Sequence, residues 1–239
     1  MRWLVATVAE TVPETARAVT LRLDVPGWPG HRAGQHVDVR LTAEDGYSAQ
    51  RSYSIASPPG ADRLELTVER IDEGEVSPYL TTVADVGDRF ELRGPIGGWF
   101  VWDGSDTAPV LLVGGGSGVV PLRAILCHHA ASGSTAAMHL VYWARTLGDV
   151  IYHRELEALA GPPAGGDPHP HAGVAAGLGR PPGPRRCRLA RRGRLATVGA
   201  AALLRVRATP FVEAVADALV GLGHEPGRIR TERFGPTGG

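Results

Sequence analysis

A change of rhythm near Asp103 constrains the fold of this chain more than any other feature. Before it, apolar and polar residues alternate in short runs: WLVATVAET, ARAVTLRLDV, HVDVRLT, RSYSIAS, RLELTVERI and RFELRG, with Pro-Gly, Asp-Gly and Gly-Asp pairs between or near them. A period of two turns one side of each strand to a core and the other to water, and closely spaced turn formers join such strands antiparallel. Six of them predict a small antiparallel barrel or sandwich. Only SPYLTTVA reads as helix there, with Ser77 as a possible N-cap and Pro78 suited to the first turn. After the polar connection WDGSDTA, PVLLVGGGSGVVPLRAILCHHAA gives an apolar strand, a glycine turn and a helical run. AAMHLVYWAR then reads as a second buried strand and VIYHRELEALA as a second helix. Strand, helix, strand, helix requires parallel pairing with right-handed crossovers.

That rhythm stops at Gly161. From Pro162 to Thr209 the chain offers PPAGGDPHPHAG, an arginine-rich stretch GRPPGPRRCRLARRGRLAT, and VGAAALLRVRA, whose apolar run suits a short strand or a helix. Order returns with PFVEAVADALVGLG, an amphipathic helix, and RIRTERFG, a last strand. So long an interval with little pattern argues against an intact element assignment inside a compact domain. The expected architecture is an antiparallel six-stranded barrel over residues 1–102, then a parallel-sheet α/β domain over 107–236, partly disrupted around 162–208.

Charge narrows the function classes. Lys plus Arg and Asp plus Glu both number 25, so the whole molecule has no bias toward a polyanion. Pro168–Val212 nevertheless holds nine arginines and no acid. Such a segment attracts phosphate backbones, but it lacks an aromatic platform, and the absence of any lysine makes arginine density a habit of the whole chain. Two cysteines, Cys127 and Cys187, are too few for a four-cysteine iron-sulfur site. No metal site is expected: His128 and His129 are adjacent and should not share one site on a regular helix, and His169 and His171 have no companion in ligand spacing. The N-terminus MRWLVATVAETV has no secretory apolar core and no run is long enough to span a membrane, so a soluble cytoplasmic protein is expected.

Arg51-Ser52-Tyr53-Ser54 combines a guanidinium that can fork onto a phosphate, a ring that can pack on a planar heterocycle, and hydroxyls that can bond ring heteroatoms. Taken alone, it also suits an ordinary surface strand. With Ser57 it matches the RxYSxxS pattern, and Gly74, Val76 and Ser77 match a later GxVS pattern; on these motifs the chain resembles the ferredoxin–NADP reductase-like flavoprotein family. The resemblance implies that residues 1–102 bind FAD, favoured over FMN. It implies that Arg51 holds a flavin phosphate, that Tyr53 and Ser54 contact the isoalloxazine, and that the amides of Gly74–Ser77 hold the pyrophosphate. A helix N-terminus favours an anion on independent grounds.

Gly114-Gly115-Gly116-Ser117-Gly118, followed by Pro121, departs from the GxGxxG fingerprint but resembles the family's GGxGxxP loop. Glycines there let a dinucleotide approach the backbone. By resemblance Arg145 and Thr146 meet the adenosine ribose or its 2′-phosphate, which favours NADPH over NADH. Glu232 and Phe234 resemble the family's closing ExF segment, with the Phe234 ring over the flavin. The implied activity is hydride transfer from NAD(P)H to FAD, Tyr53, Ser54 and Phe234 being the residues nearest the chemistry. Electrons would pass on to a separate acceptor: an iron-sulfur protein such as ferredoxin, an oxygenase component, or a small molecule.

One departure bears on activity. Relatives carry Cys-Gly-Pro before their last helix, whereas this chain reads Leu204-Arg205-Val206-Arg207-Ala208-Thr209-Pro210. Codons GTG CGG GCC ACC for Val206–Thr209 contain TGC GGG CCA one base later, which is Cys-Gly-Pro. A shifted reading frame over 165–208 is one reading of the segment. A flavin-binding protein with an impaired nicotinamide site, and nucleic-acid binding through the arginines, are the others.

Overall fold

The computed structural model of the chain describes residues 1–105, 107–160, 173–178, 201–206 and 209–233. They divide into two compact units, Met1–Asp103 with Arg123–Ala131, and Gly104–Leu122 with Ser132–Gly239.

In the first unit β1 (Leu4–Thr15), β2 (Ala18–Asp24), β3 (His36–Thr42), β4 (Ser48–Ser54), β5 (Leu64–Glu69) and β6 (Arg89–Ile96) form one antiparallel sheet, ordered β4-β3-β6-β1-β2-β5. The alternation is realised as expected: Leu21, Leu23, Val37, Val39, Leu66, Val68 and Leu92 are fully buried in one core. Each such leucine is worth about 2 kcal/mol of burial. Two threonines taken inside pair with each other. Thr20 lies opposite Thr67, with their hydroxyls 2.7 Å apart, and Thr20 also donates to Glu14 at 2.7 Å. Its single hydrogen goes to the carboxylate, so Thr67 is the donor of the pair.

The sheet is not the closed barrel expected. Its edges are β4 and β5, and among the described residues they share only the isolated bridge Ile55↔Leu66, beside an Ala56 amide that donates to the Glu65 carbonyl at 2.8 Å. Beyond the bridge the chain continues as Ser57-Pro58-Pro59, and two prolines in succession have no N–H to extend a ladder on that side; on the other side β4 and β5 form no ladder with each other.

Helix α1 (Ser77–Thr82) starts where Pro78 suggested, but Ser77 does not cap it: Val76 is the N-cap and no side chain bonds the first turn. The Ser77 hydroxyl instead accepts the Ile71 amide at 3.0 Å, closing the turn before the helix.

The second unit is a five-stranded parallel sheet, ordered β11-β10-β7-β8-β9, from β7 (Val110–Gly115), β8 (Met138–Ala144), β9 (Gly173–Leu178), β10 (Ala201–Val206) and β11 (Ile229–Arg233). Helices α3 (His153–Ala160) and α4 (Thr209–Gly221) complete it with the first turn of α2 (Val119–Ser132), whose residues Arg123–Ala131 belong to the first unit; α2 ends at Gly133 in the left-handed conformation. Val110–Val113 are all buried, as a central parallel strand requires. The segment expected to disrupt this domain therefore supplies two of its strands, β9 and β10. Within the unit, Leu111, Val113, Val212, Val215 and Leu219 pack β7 against α4.

Candidate functional site

Strand β4 pairs with β3, setting Val39 opposite Arg51, Val37 opposite Tyr53 and His36 opposite Ser54. By alternation Ala49, Arg51 and Tyr53 share the core-facing side, and Tyr53 packs against the core itself. Ser52 lies on the other side, where it donates to Asp38 at 2.6 Å. Ser54 ends the strand with the same alternation as Ser52. Burial pushes the Tyr53 phenol well above its ordinary range, with only the nearby Arg51 charge pulling the other way. The phenol is therefore protonated at neutral pH and available as a donor.

Arg51 reaches toward α1. Its Nη2 donates to Glu75 Oε2 at 2.8 Å and its Nη1 to the Gln50 carbonyl at 2.7 Å. The Tyr47 hydroxyl donates to Glu75 Oε1. The Tyr47 bond, then the Arg51 charge, hold the Glu75 carboxyl below its ordinary value. Glu75 sits between Gly74 and Val76, so the strand and the turn that the sequence singled out meet at this one side chain. Gly74 is in a tight place: a Cβ there would stand 3.0 Å from Ser77 Oγ and 3.1 Å from the Ile71 carbonyl. No side chain caps the first turn of α1, and in the turn before it the Gly74 amide donates to the Ile71 carbonyl at 2.9 Å.

Ser57 is fully buried, and its roles are local. Its hydroxyl accepts the Glu65 amide at 3.1 Å, and its carbonyl takes His31 Nε2 at 3.0 Å. Trp28 Nε1–H donates to His31 Nδ1 at 3.3 Å, which leaves the proton of the neutral ring on Nε2. Burial, chiefly, and the neighbouring His128 lower the His31 pKa. Arg123 of α2 donates to the Ala56 carbonyl at 3.0 Å and pairs with Glu65, which also receives Arg22 at 3.0 Å. Thus the chain leaving β4 is held from three sides. His128 and His129, expected to diverge, both lie against Trp102, each with ring centroids 5.5 Å from it, because one indole is broad enough to meet two successive side chains. Among the described residues no group of three His, Cys, Asp or Glu is placed to hold a metal.

In the second unit the glycine loop follows β7, with Gly116–Gly118 as a 3-10 turn and Gly116 at φ +55. A Cβ on Gly114 would come within 2.8 Å of Leu122 Cδ1 and 3.3 Å of the Gly118 backbone, so only glycine lets the loop fold back on the strand. Gly115 remains partly open, while Gly118 and Pro121 are buried at the start of α2. Strand β7 has β8 on one side and β10 on the other, so the sheet reverses its winding at β7 and β10. Crevices at such reversals, at the carboxyl ends of the strands, are where open parallel sheets bind nucleotides. The register sets Gly114 and Gly115 opposite Arg205 and Val206 at that end. Arg145 and Thr146 follow β8 at the same end: Thr146 donates to Asp149 at 2.9 Å, and Arg145 stands 3.7 Å from the same carboxylate. Glu232, opposite Arg205 on β11, has one carboxylate oxygen buried. Phe234 and positions 207–208, where Cys-Gly-Pro would begin, lie outside the described residues.

The sequence reading passed over Glu75, Tyr47 and Arg123. Glu75 occupies an unspecified position inside a motif, and Tyr47 follows the Asp45-Gly46 turn, which marks a hairpin without marking the residue after it. Arg123 could have been noticed as the lone charge in the apolar first turns of α2.

Residues 5–101 match the model of the oxidoreductase FAD-binding domain. The chain is 33% identical over 150 residues to the reductase component of propane 2-monooxygenase from Mycolicibacterium goodii, covering 62% of this chain and 42% of that protein. It is 40% identical over 129 residues to ferredoxin–NADP reductase B of Sorangium cellulosum, covering 54% of this chain and 52% of that one. The chain thus spans about half the length of the curated relatives it matches. Among solved structures, the Amycolatopsis cytochrome P450 reductase GcoB superposes with a TM-score of 0.81 at 26% identity, covering 99% of this chain and 71% of GcoB. No helix among the described residues is long and apolar enough to cross a membrane. With residues 5–101 matching an FAD-binding domain that leads into a parallel sheet reversing at a glycine loop, the chain resembles the FAD- and NAD(P)-binding oxidoreductases of the ferredoxin-reductase-like superfamily.

Proposed function

We propose that this chain draws reducing equivalents from NADPH, with NADH as the weaker donor, and delivers them to a separate acceptor, an iron-sulfur protein or an oxygenase component. The observation that supports the reading is the meeting of Arg51 and the Gly74–Ser77 turn at Glu75, which sets a guanidinium beside the uncapped start of α1. These residues fit the phosphates of FAD, and the half-buried Tyr53 ring fits its planar heterocycle. When bound, FAD supplies the conversion of a two-electron donor into outward electron delivery.

The protein's own work is positioning. Arg51 and the α1 amides fix the phosphate end, and Tyr53, protonated, packs and donates beside the ring. Ser54 offers a hydroxyl at the end of β4. Ser57 acts from behind: its hydroxyl and carbonyl, with Arg123 on Ala56, hold the chain that leaves this strand. In the second unit Gly114–Gly118 and Pro121 shape the turn for a pyrophosphate, and Arg145 with Thr146 would meet the ribose phosphate. Glu232 and Phe234 complete the set on the last strand and beyond it.

A second reading has its own support. The end of β10, beside the glycine loop, runs on without Cys-Gly-Pro, which favours a module that binds flavin but accepts hydride slowly. One experiment separates the two. The purified full chain is expected to carry yellow flavin, identified as FAD by mass spectrometry of the released cofactor, and to bleach on anaerobic addition of NADPH. Colour without bleaching supports the impaired site; a colourless chain that ignores added FAD would end both readings.

A further inference from the structure

We propose that Asp38 is a positioning residue for strand β4: through Ser52 it fixes the tilt of that strand and so sets the Tyr53 ring that would pack against the isoalloxazine. The inference rests on the reading of Tyr53 as a ring contact. Asp38 is a buried carboxylate in the middle of a row of three residues that face one another across three strands, Ser52 on β4, Asp38 on β3 and Arg93 on β6. Its Oδ1 accepts the Ser52 hydroxyl at 2.6 Å, and its Oδ2 accepts Arg93 Nε and Nη2, each at 3.0 Å. Arg93 is held in turn. Its guanidinium stands 4.9 Å from the centroid of the Trp3 ring, and Arg40, 4.1 Å from the same ring, forks onto Glu91 with two bonds of 2.8 Å.

A carboxylate this deep is costly unless paired, and here both oxygens are engaged. What the arrangement supplies is orientation of an edge strand. β4 has a hydrogen-bonded neighbour on one side only, so the ladder by itself leaves it free to twist about its own axis. The tie lies where the sheet is least regular: the β3–β6 register slips between His36 and Asp38, and Asp38 with Arg93 is the last regular pair before the slip. Successive side chains of a strand point to opposite faces, and the peptide units between them are rigid planes. Ser52 held on the outer face therefore holds Tyr53 in place on the inner one, and Ser52 released lets Tyr53 swing.

The test titrates the full chain, stripped of flavin, into a fixed amount of FAD and follows flavin fluorescence. The midpoint reports affinity, and the plateau reports how closely an aromatic ring lies on the bound flavin, since such a ring quenches its emission. Asp38→Ala, and Ser52→Ala at the exposed hydroxyl, are each expected to raise the plateau about twofold and to weaken FAD binding about threefold. Asp38→Asn is expected to stay near the wild type, because its amide can give a proton to the Ser52 hydroxyl while its oxygen accepts from Arg93. Thermal unfolding is followed alongside. A lowered unfolding temperature with a wild-type plateau in the alanine variants makes Asp38 merely structural and overturns the proposal, as does an Asp38→Asn plateau equal to that of Asp38→Ala. If Asp38→Ala does not fold, the plateau of Ser52→Ala decides. Tyr53→Leu separates the two levels of failure. If it leaves the plateau unmoved, Tyr53 is not the ring contact and the proposal falls with that reading; if it raises the plateau while the alanine variants do not, the reading stands and only the role of Asp38 falls.

Discussion

His31 shows how much one neutral ring can hold. It receives the Trp28 indole proton on one nitrogen and gives its own proton to the Ser57 carbonyl from the other. Protonation would turn the accepting nitrogen into a donor facing a donor, and burial already disfavours the charge. The folded pKa lies below the ordinary value of 6.5, so as pH falls the unfolded chain takes up the proton first. The contribution of His31 to stability is complete above about pH 6.5 and is lost as the pH drops from there toward the folded value. Thermal unfolding of the wild type should therefore shift downward between about pH 7.5 and pH 5.5, and His31→Gln, which can still accept from Trp28 and donate to Ser57, should flatten that slope. Equal slopes would place the titrating group elsewhere. At this scale the sequence was informative where a motif names its residues, as at Arg51 and Tyr53. It was silent where a contact is made by a position that the motif leaves open, as at Glu75.

At the level of elements, legibility followed periodicity. β7, β8, α2, α3 and α4 were readable because apolar runs of the right length stood between glycine or proline punctuation. β9 was not, since Gly-Val-Ala-Ala-Gly-Leu has neither alternation nor a cluster of branched side chains, and its strand state comes from pairing with β8. The run of β10 was equally consistent with helix until it was paired between β7 and β11. Whether six antiparallel strands close was beyond reach for the same reason: it depends on whether β4 and β5, neighbours along the chain but opposite edges of the sheet, pair with each other. The β7 loop and α2 carry a prediction of their own. Gly114→Ala would press a methyl into Leu122 and the Gly118 backbone, costing about 1–3 kcal/mol of stability or displacing the loop. NADPH affinity should fall while FAD affinity is retained, measured by separate titrations of one preparation; loss of FAD binding would show the damage to be general.

Across the whole molecule, the proposed delivery of electrons to a separate acceptor calls for a docking step. If that acceptor docks through charge, electron delivery to it should slow as salt rises while flavin reduction by NADPH holds steady, and stopped-flow measurement of the two steps checks this. The shifted-frame reading of residues 165–208 belongs to this scale as well. Two strands in register within that segment argue against it, the missing Cys-Gly-Pro argues for it, and sequencing the coding DNA decides between them.

An open sheet carries a liability that a closed one does not. Its outer strands present rows of N–H and C=O groups that a second chain can extend. On β4 the guards are Gln50, Arg51 and Ser52, and on β5 the guard is Glu69. Arg51 is both a guard and the residue assigned to the cofactor. The side chain that would hold FAD is thus one of those that discourage self-association, and replacing Arg51 by an uncharged residue would leave this edge more adhesive.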